Sequence, residues 1–187
     1  MEKLSNFIQS KIHIAEADLQ IICSYFQERT LAKNSFLVKK GQLVTAYYFI
    51  QSGGIRIYLN HNDREITGWL AFKNDFFTEL GSLTTGQPTA FNMQAIEDCQ
   101  LSYIEKKDMD SLYQRYPAWQ QFGRQLWEDA FIKVVNGILA YQTMTAEERY
   151  LAIMQQSDLL QKVPLRQLAS YLGITPTSLS RLRKKIT

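Results

Sequence analysis

The sequence predicts an α+β protein, with a small antiparallel β-barrel or sandwich followed by helices. Three patterns support this class: short strand-like runs between residues 30 and 105, apolar residues at helical spacing after Pro117, and two short helices near Lys185. With 187 residues, 45% hydrophobic and 21% charged, the chain has the composition of a globular protein with one or two packed domains.

The first thirty residues predict a helix that packs on another part of the chain. Its apolar residues follow helical spacing, and two acidic residues stand near its start, where the helix dipole favours negative charge. The apolar positions are Leu19, Ile22, Cys23 and Phe26, and the acidic ones are Glu16 and Asp18.

The middle of the chain predicts strands. Those at 47–50 and 55–59 are expected to form a hairpin about Gly53 and Gly54. The other predicted strands cover residues 36–38, 66–72, 75–77, 91–96 and 101–104. Their regular spacing favours an antiparallel barrel or sandwich over β/α units, so residues 30–105 are predicted to be all-β.

After Pro117 we expect one helix of about 26 residues with two adjacent apolar stripes. The first stripe is Trp119, Phe122, Leu126, Ala130, Val134, Ile138 and Tyr141, and the second is Trp127, Phe131, Val135 and Leu139. Because two stripes require two buried faces, one is expected to lie on the barrel and the other on the same helix of a second copy, with burial of both faces inside one chain as the alternative. Gly137 is then expected at a close helix contact.

Two short helices about a tight turn are predicted for residues 163–185. Before them, Thr145 and Glu148 have the spacing of a capping box, which predicts a helix start. The apolar anchors of the helix pair are Leu165, Leu168, Ala169, Leu172, Leu179 and Leu182. Gly173 permits a left-handed turn, and Thr175 is expected to cap the second helix, with Pro176 at its first position.

The outward side chains of that second helix predict DNA binding. They are Pro176, Thr177, Ser178, Ser180, Arg181, Arg183, Lys184 and Lys185. Arginine can pair with guanine in the major groove, and hydroxyls and lysines can reach bases or phosphates. A basic helix end alone could merely complement the helix dipole, but the turn and cap signals favour the DNA-binding interpretation. From Thr145 onward the formal charge is +4, whereas the rest of the chain carries −1.

With these motifs in this order, the chain resembles the Crp/Fnr family of bacterial transcription factors, and residues 168–185 are similar to the version found in Bacteroidetes. The resemblance implies a double-stranded β-helix (jelly-roll) barrel of the cyclic nucleotide-binding type, a dimerisation helix and a winged-helix-like helix-turn-helix. These units would cover residues 1–115, 116–144 and 145–187. The implied partners are double-stranded DNA and a second copy joined through residues 117–142, with RNA polymerase as a further candidate.

The resemblance also gives a role to Arg181, which falls where a base-contacting arginine of the family lies. The family's familiar recognition helix opens with S-R-E-T, whereas the aligned residues here are Thr175, Pro176, Thr177 and Ser178. We therefore expect an operator that differs from the family's best-known one.

Cyclic-nucleotide-binding members carry a phosphate-binding cassette of the form G-E-L, a spacer and R-S/T-A, which the resemblance places at residues 78–90. Glu79 would accept a hydrogen bond from the ribose, and Leu80, Thr89 and Ala90 would complete the pocket. The phosphate-pairing arginine is replaced by Pro88 or Thr89, and residues 74–105 contain neither Lys nor Arg. Because a charged hydrogen bond contributes about 1.5–3 kcal/mol, no ordinary response to cyclic AMP is expected.

Several alternatives remain open for the barrel: an altered pocket for cyclic AMP or cyclic GMP, a different effector of unknown identity, or no ligand. Glu79 could equally be a solvated or helix-capping acid. A regulatory module that acts through protein contacts is the alternative function from another class.

No catalytic residue, metal site or cofactor is predicted, and the chain is not expected to be an enzyme. Cys23 and Cys99 form no cluster motif, and the isolated His13 and His61 cannot supply the metal ligands of a cupin-type enzyme. A long uncharged apolar run and the apolar core of a signal peptide are both missing, so a cytoplasmic protein is expected.

Overall fold

The computed structural model describes residues 1–156 and 162–186. Its strands form two antiparallel four-stranded sheets, with the orders β1-β8-β3-β6 and β2-β7-β4-β5. The strands are β1 (Gln27–Leu31), β2 (Phe36–Val38), β3 (Ala46–Ser52), β4 (Gly54–His61), β5 (Arg64–Phe72), β6 (Phe76–Phe77), β7 (Asn92–Ala95) and β8 (Cys99–Glu105). The helices are α1 (Glu2–Lys11), α2 (Glu16–Ser24), α3 (Leu80–Thr85), α4 (Lys106–Arg115), α5 (Pro117–Thr143), α6 (Ala146–Gln156), α7 (Leu165–Leu172) and α8 (Pro176–Ile186).

The main core contains residues of both sheets and extends to α1, α2, α4 and α5. Leu4 and Ile8 anchor α1 in this core, while Trp119 and Phe122 anchor α5, with their rings stacked at a centroid distance of 4.5 Å. At Gly123 a Cβ atom would overlap the Tyr113 ring, so glycine allows α4 and α5 to approach closely. The α+β fold class predicted from the sequence is confirmed.

The predicted hairpin about Gly53 and Gly54 is wrong. Strand β3 pairs with β8 and β6, whereas β4 pairs with β5 and β7, so the two glycines carry the chain from one sheet to the other. Gly53 has a φ of 93°, and a Cβ there would lie 2.6 Å from the Asp98 carbonyl oxygen. The hairpin is instead β4–β5, whose turn residues Asn62 and Asp63 have the positive φ values typical of a type I′ turn.

The prediction that residues 30–105 are all-β is also wrong in detail, because α3 lies between β6 and β7. Strand β1 was missed, since its sequence QERTL contains a single buried residue, Leu31. The helix now described as α2 and the other predicted strands are confirmed within one or two residues.

The predicted signals at the C-terminal helices are confirmed. The Thr145 amide donates to Glu148 at 2.7 Å, and the Glu148 amide donates back to the Thr145 hydroxyl at 3.2 Å, which forms the capping box of α6. Gly173 is left-handed at φ 71°, and the Thr175 hydroxyl accepts from the Ser178 amide at 3.1 Å at the start of α8.

The predicted C-terminal unit is described only in part. Residues 157–161 and Thr187 of the predicted C-terminal unit lie outside the described residues. In the described parts of that unit no strand follows β8, so they contain no wing. Among the described helices, none combines the length and apolarity needed to cross a bilayer.

The burial of α1 predicts that this N-terminal helix is an integral part of the barrel. Truncating the fully buried Leu4 in Leu4→Ala should lower the free energy of unfolding by about 2–5 kcal/mol, because it leaves a cavity in the core. Urea denaturation followed by circular dichroism measures this. The matched variant Leu43→Ala, at a residue that is 55% exposed, should change stability by no more than about 0.5 kcal/mol. Equal effects of the two substitutions would contradict the packing described.

Candidate functional site

A cavity of about 350 Å³ lies between the β-sandwich and α5. The strands contribute Tyr47, Ile57, Gly68 and Trp69 to its wall, and the segment from β6 to α3 contributes Phe76, Phe77, Thr78, Glu79 and Leu80. Phe91 precedes β7, and Met109 and Tyr113 belong to α4. The long helix closes one side with Leu126, Trp127 and Ala130.

A β-bulge in β5 shapes one wall of this cavity. Ile57 pairs with Trp69 and Tyr58 pairs with Thr67, so Gly68 has no partner on β4. A bulge adds one residue to one strand and breaks the alternation of side chains, which allows two consecutive residues, Gly68 and Trp69, to line the same cavity.

The cavity carries little charge. Among the described residues that line it, none is Lys, Arg or His, and Glu79 is the one carboxylate. Burial raises the pKa of the Tyr47 and Tyr113 phenols above their usual value, so both hydroxyls remain neutral at physiological pH. The wall is therefore mainly aromatic and aliphatic, with a carboxylate at one edge.

Glu79 caps α3. One of its carboxylate oxygens accepts from the Gly81 amide at 2.8 Å and the other accepts from the Ser82 amide at 3.1 Å. Because these two bonds satisfy helix-terminal donors, Glu79 has a structural role in the absence of any ligand. Leu80, beside it, lies at the cavity wall and is 42% exposed.

The other two residues of the predicted pocket lie apart from the cavity lining. Thr89 is buried: its amide donates to the Gln42 carbonyl at 2.9 Å, and its hydroxyl accepts from the Phe91 amide at 3.1 Å. Ala90 is exposed and does not contribute to the cavity wall. Of the four residues named from the resemblance, the structure thus brings Glu79 and Leu80 to the cavity.

Sequence reasoning missed most of the cavity wall. Trp69, Phe76 and Phe91 were placed in predicted strands without a role in a pocket, and no role was predicted for Tyr113. The available signal was their density, since aromatic residues make up 12% of the chain and seven of them line this one cavity. Trp127 was placed in the second stripe without being assigned to the barrel or to a second copy; it contacts the cavity while remaining 40% exposed.

Helix α8 presents a cationic and hydroxyl surface. Of the eight residues predicted to bind DNA, six are exposed and two are half-buried. The exposed ones are Pro176, Thr177, Ser178, Arg181, Lys184 and Lys185, and the half-buried ones are Ser180 and Arg183. The Lys185 ammonium lies 3.0 Å from the Glu147 carboxylate of α6, and the Arg183 guanidinium lies over the Tyr150 ring at 5.9 Å.

The C-terminal helices share a second hydrophobic core with the barrel. Leu168, Ala169, Leu172 and Leu179 are fully buried in it, and Leu70 of β5, which is 9% exposed, belongs to the same cluster. Because these residues close α7 against α8, the exposed face of α8 has a fixed orientation relative to α7.

A hydroxyl network joins α7 to the edge of the barrel. The Ser170 hydroxyl accepts from the Thr67 amide at 2.9 Å and donates to the Glu65 carbonyl at 2.7 Å, so it satisfies two peptide groups of β5. The buried Arg56 guanidinium donates to the Thr67 hydroxyl at 2.8 Å and to the Glu65 carboxylate at 2.6 Å. Strand β5 is therefore in contact with the cavity through Trp69 and with α7 through Thr67.

The second half of α5 leaves a large apolar surface exposed. We call this surface the α5 stripe: Phe131, Ile132, Val134, Val135, Ile138, Leu139 and Tyr141, which are between 37% and 70% exposed. Among the described residues, no atom would lie within 4 Å of a Cβ at Gly137, so the described part of one chain gives Gly137 no close helix contact. A contiguous exposed patch of this kind is typical of an interaction surface.

Comparison with known proteins supports the fold. Residues 28–116 match the family model of the cyclic nucleotide-binding domain. The cyclic AMP receptor protein of Thermus thermophilus is 29% identical over 105 residues, which is 56% of this chain and 48% of that protein. The chain thus spans about half the length of this curated relative.

Two solved structures have the same architecture over most of the chain. FixK2 from Bradyrhizobium japonicum is similar with a TM-score of 0.71 and 19% identity, covering 86% of this chain and 84% of FixK2. A CooA mutant from Carboxydothermus hydrogenoformans is similar with a TM-score of 0.69 and 19% identity, covering 88% and 77% of the two chains. The chain therefore has the fold of the cyclic nucleotide-binding domain, followed by the long helix and C-terminal helices of Crp/Fnr-type regulator structures.

The capping role of Glu79 leads to a prediction about the protein without ligand. Glu79→Ala should lower the free energy of unfolding by about 1 kcal/mol, because two α3 amides lose their acceptors. Chemical denaturation of the purified protein measures this. Glu105 is the matched control, since it precedes α4 without a capping side-chain bond, and Glu105→Ala should have a smaller effect. An unchanged stability for Glu79→Ala would contradict the capping role.

Proposed function

We propose that this chain is a homodimeric, sequence-specific DNA-binding transcription regulator of the Crp/Fnr type. The observation that carries the proposal is the exposed cationic and hydroxyl face of α8, which α7 holds in one orientation. In this proposal α7, the turn at Gly173 and α8 form a helix-turn-helix, and α8 enters the major groove.

The roles of the α8 side chains follow from their exposure and charge. Arg181 is exposed on the outward face and is the residue we assign to a base edge, since arginine can donate two parallel hydrogen bonds to guanine. Lys184 and Lys185 lie near the end of the helix, where they would neutralise phosphates. The Lys185–Glu147 pair is solvent-exposed, so exchanging it for a phosphate costs little free energy.

The α5 stripe supports dimerisation through the region 117–142. The first half of α5 packs on the barrel through Trp119 and Phe122, which leaves the α5 stripe as the face for the same helix of a second copy. Two copies would place two α8 helices at successive major-groove segments, as dimeric helix-turn-helix proteins require. Gly137 would then lie where two copies of α5 approach each other.

The cavity chemistry supports a barrel that does not respond to cyclic AMP. A cyclic nucleotide brings a negative phosphate, and the cavity wall offers it no cation. Both carboxylate oxygens of Glu79 already accept hydrogen bonds from backbone amides, so they are less available to accept one from a ribose hydroxyl. Moving an unpaired anion out of water into such a site is strongly unfavourable.

The DNA-binding proposal is tested by selecting ligands from random-sequence duplexes and measuring the affinity of the enriched duplex by fluorescence anisotropy. Arg181→Ala should weaken binding by about 1–3 kcal/mol and relax the preference at one base pair. Lys184→Ala should weaken binding to all duplexes similarly and reduce the dependence on salt.

The matched control is Arg29→Ala, at an exposed arginine of β1 in the barrel, which should leave the affinity unchanged. Failure to enrich any sequence, or binding that does not weaken as salt concentration rises, would contradict the proposal.

The dimer proposal predicts that Leu139→Glu in the α5 stripe shifts the protein to a monomer, because it places a charge in an apolar seam. Sedimentation equilibrium measures the mass directly. Leu43→Glu replaces an equally exposed leucine outside α5 and should leave the dimer intact. A monomeric parent protein at tens of micromolar, on the order of ordinary dimer affinities, would overturn the assignment.

A further inference from the structure

We infer that the cavity between the barrel and α5 binds a small, uncharged, aromatic or otherwise apolar molecule. This rests on the proposed function, because it names the class of effector for the barrel of a regulator. The cavity of about 350 Å³ lies within the range of small-molecule sites, and seven of its fifteen lining residues are aromatic. Apolar cavities of this kind bind apolar guests because a water molecule inside them finds few hydrogen-bond partners.

The charge of the guest follows from the lining. An anion would meet no Lys, Arg or His among the described lining residues, and it would be repelled by Glu79. A cation could be attracted to the aromatic rings and to Glu79. However, this carboxylate is already bonded to two amides at the start of α3, where peptide dipoles offset its charge. A neutral guest avoids the desolvation cost that either ion would have.

The guest would also have polar donors within the wall. Tyr47 and Tyr113 line the cavity as neutral phenols, since burial raises the pKa of both hydroxyls. A ring with one hydroxyl, carbonyl or ether oxygen matches this combination of an apolar wall and a few donors.

Such a guest would contact the elements that connect the barrel to the rest of the protein. Leu126, Trp127 and Ala130 form the α5 side of the cavity, only a few residues before the α5 stripe. Trp69 forms the β5 side, two residues from the Thr67 amide that bonds to α7. Filling the cavity would therefore favour some arrangements of α5 and α7 over others, which is the requirement for an effector.

The test uses three ligands that share one ring system and differ in charge: naphthylmethanol, naphthoate and naphthylmethyl-trimethylammonium. Isothermal titration of the full chain should show saturable binding of naphthylmethanol at one site per chain. Its Kd should be roughly tenfold or more below those of naphthoate, the ammonium analogue and cyclic AMP. A tenfold ratio corresponds to about 1.4 kcal/mol, which we attribute to the cost of removing the charged group from water.

Two variants locate the bound probe. Ala130→Phe fills the cavity from α5 and should weaken naphthylmethanol binding by roughly tenfold or more, the ratio expected from losing part of the apolar contact. Ala140→Phe makes the same change nearly three turns further along α5, away from the cavity, and should not affect binding. Leu80→Arg places a charge at the opposite wall and should also weaken binding, whereas Leu43→Arg, outside the cavity, should not.

If the Ala130 variant does not fold, the Leu80 and Leu43 variants decide the outcome. Both leucines are exposed, so replacing them should not prevent folding. The inference is overturned if naphthylmethanol does not bind, if a charged analogue or cyclic AMP binds as tightly, or if the cavity variants bind the probe like the parent. These titrations contain no DNA, and Arg181→Ala should not alter them. A failure of the DNA-binding proposal is therefore distinguishable from a failure of the cavity proposal.

Discussion

The packing of α5 against the barrel is the interaction on which the rest of the structure depends. Trp119 and Phe122 anchor the first turns of the helix in the main core, and Gly123 lets it approach α4. Beyond this anchor the helix forms one side of the cavity and then extends with its apolar side chains uncovered. One helix thus packs in the barrel core, lines the candidate effector cavity and carries the candidate dimer surface, so a displacement of α5 would change all three regions.

The sequence predicted those parts of the fold that depend on local chemistry. The capping box at Thr145, the left-handed Gly173 and the capped start of α8 all involve residues three or four positions apart, and all are confirmed. The incorrect hairpin shows the limit of such reasoning. The Gly53-Gly54 pair marks the point where the chain passes from one sheet to the other, but which strands pair is decided by contacts far apart in sequence, such as β3 with β8.

The candidate site was harder to predict for a related reason. The family motif predicts the pocket within one continuous segment, residues 78–90. The residues that line the cavity instead come from seven separate segments of the chain. The bulge at Gly68, which places Trp69 in that wall, has a sequence signal that was not used, because an isolated glycine inside a predicted strand suggests a bulge. Glu79 matched the motif and does line the cavity, but its hydrogen bonds serve α3. A residue can therefore fit a ligand motif while its measurable contacts are those of a helix cap.

In the proposed regulator, the hydroxyl of Ser170 would link the binding of a guest in the cavity to the binding of DNA by α8. It bonds to two peptide groups of β5, and the same strand forms part of the cavity wall through Trp69. If the position of β5 differs between the empty and the filled cavity, filling the cavity changes the free energy of the contact between β5 and α7. Because α7 packs on α8, the position of α8 then changes as well. Thermodynamic linkage is reciprocal, so a DNA duplex held by α8 would change the affinity of the cavity by the same factor that the guest changes the affinity for DNA. The operator would then act as an effector of the sensor.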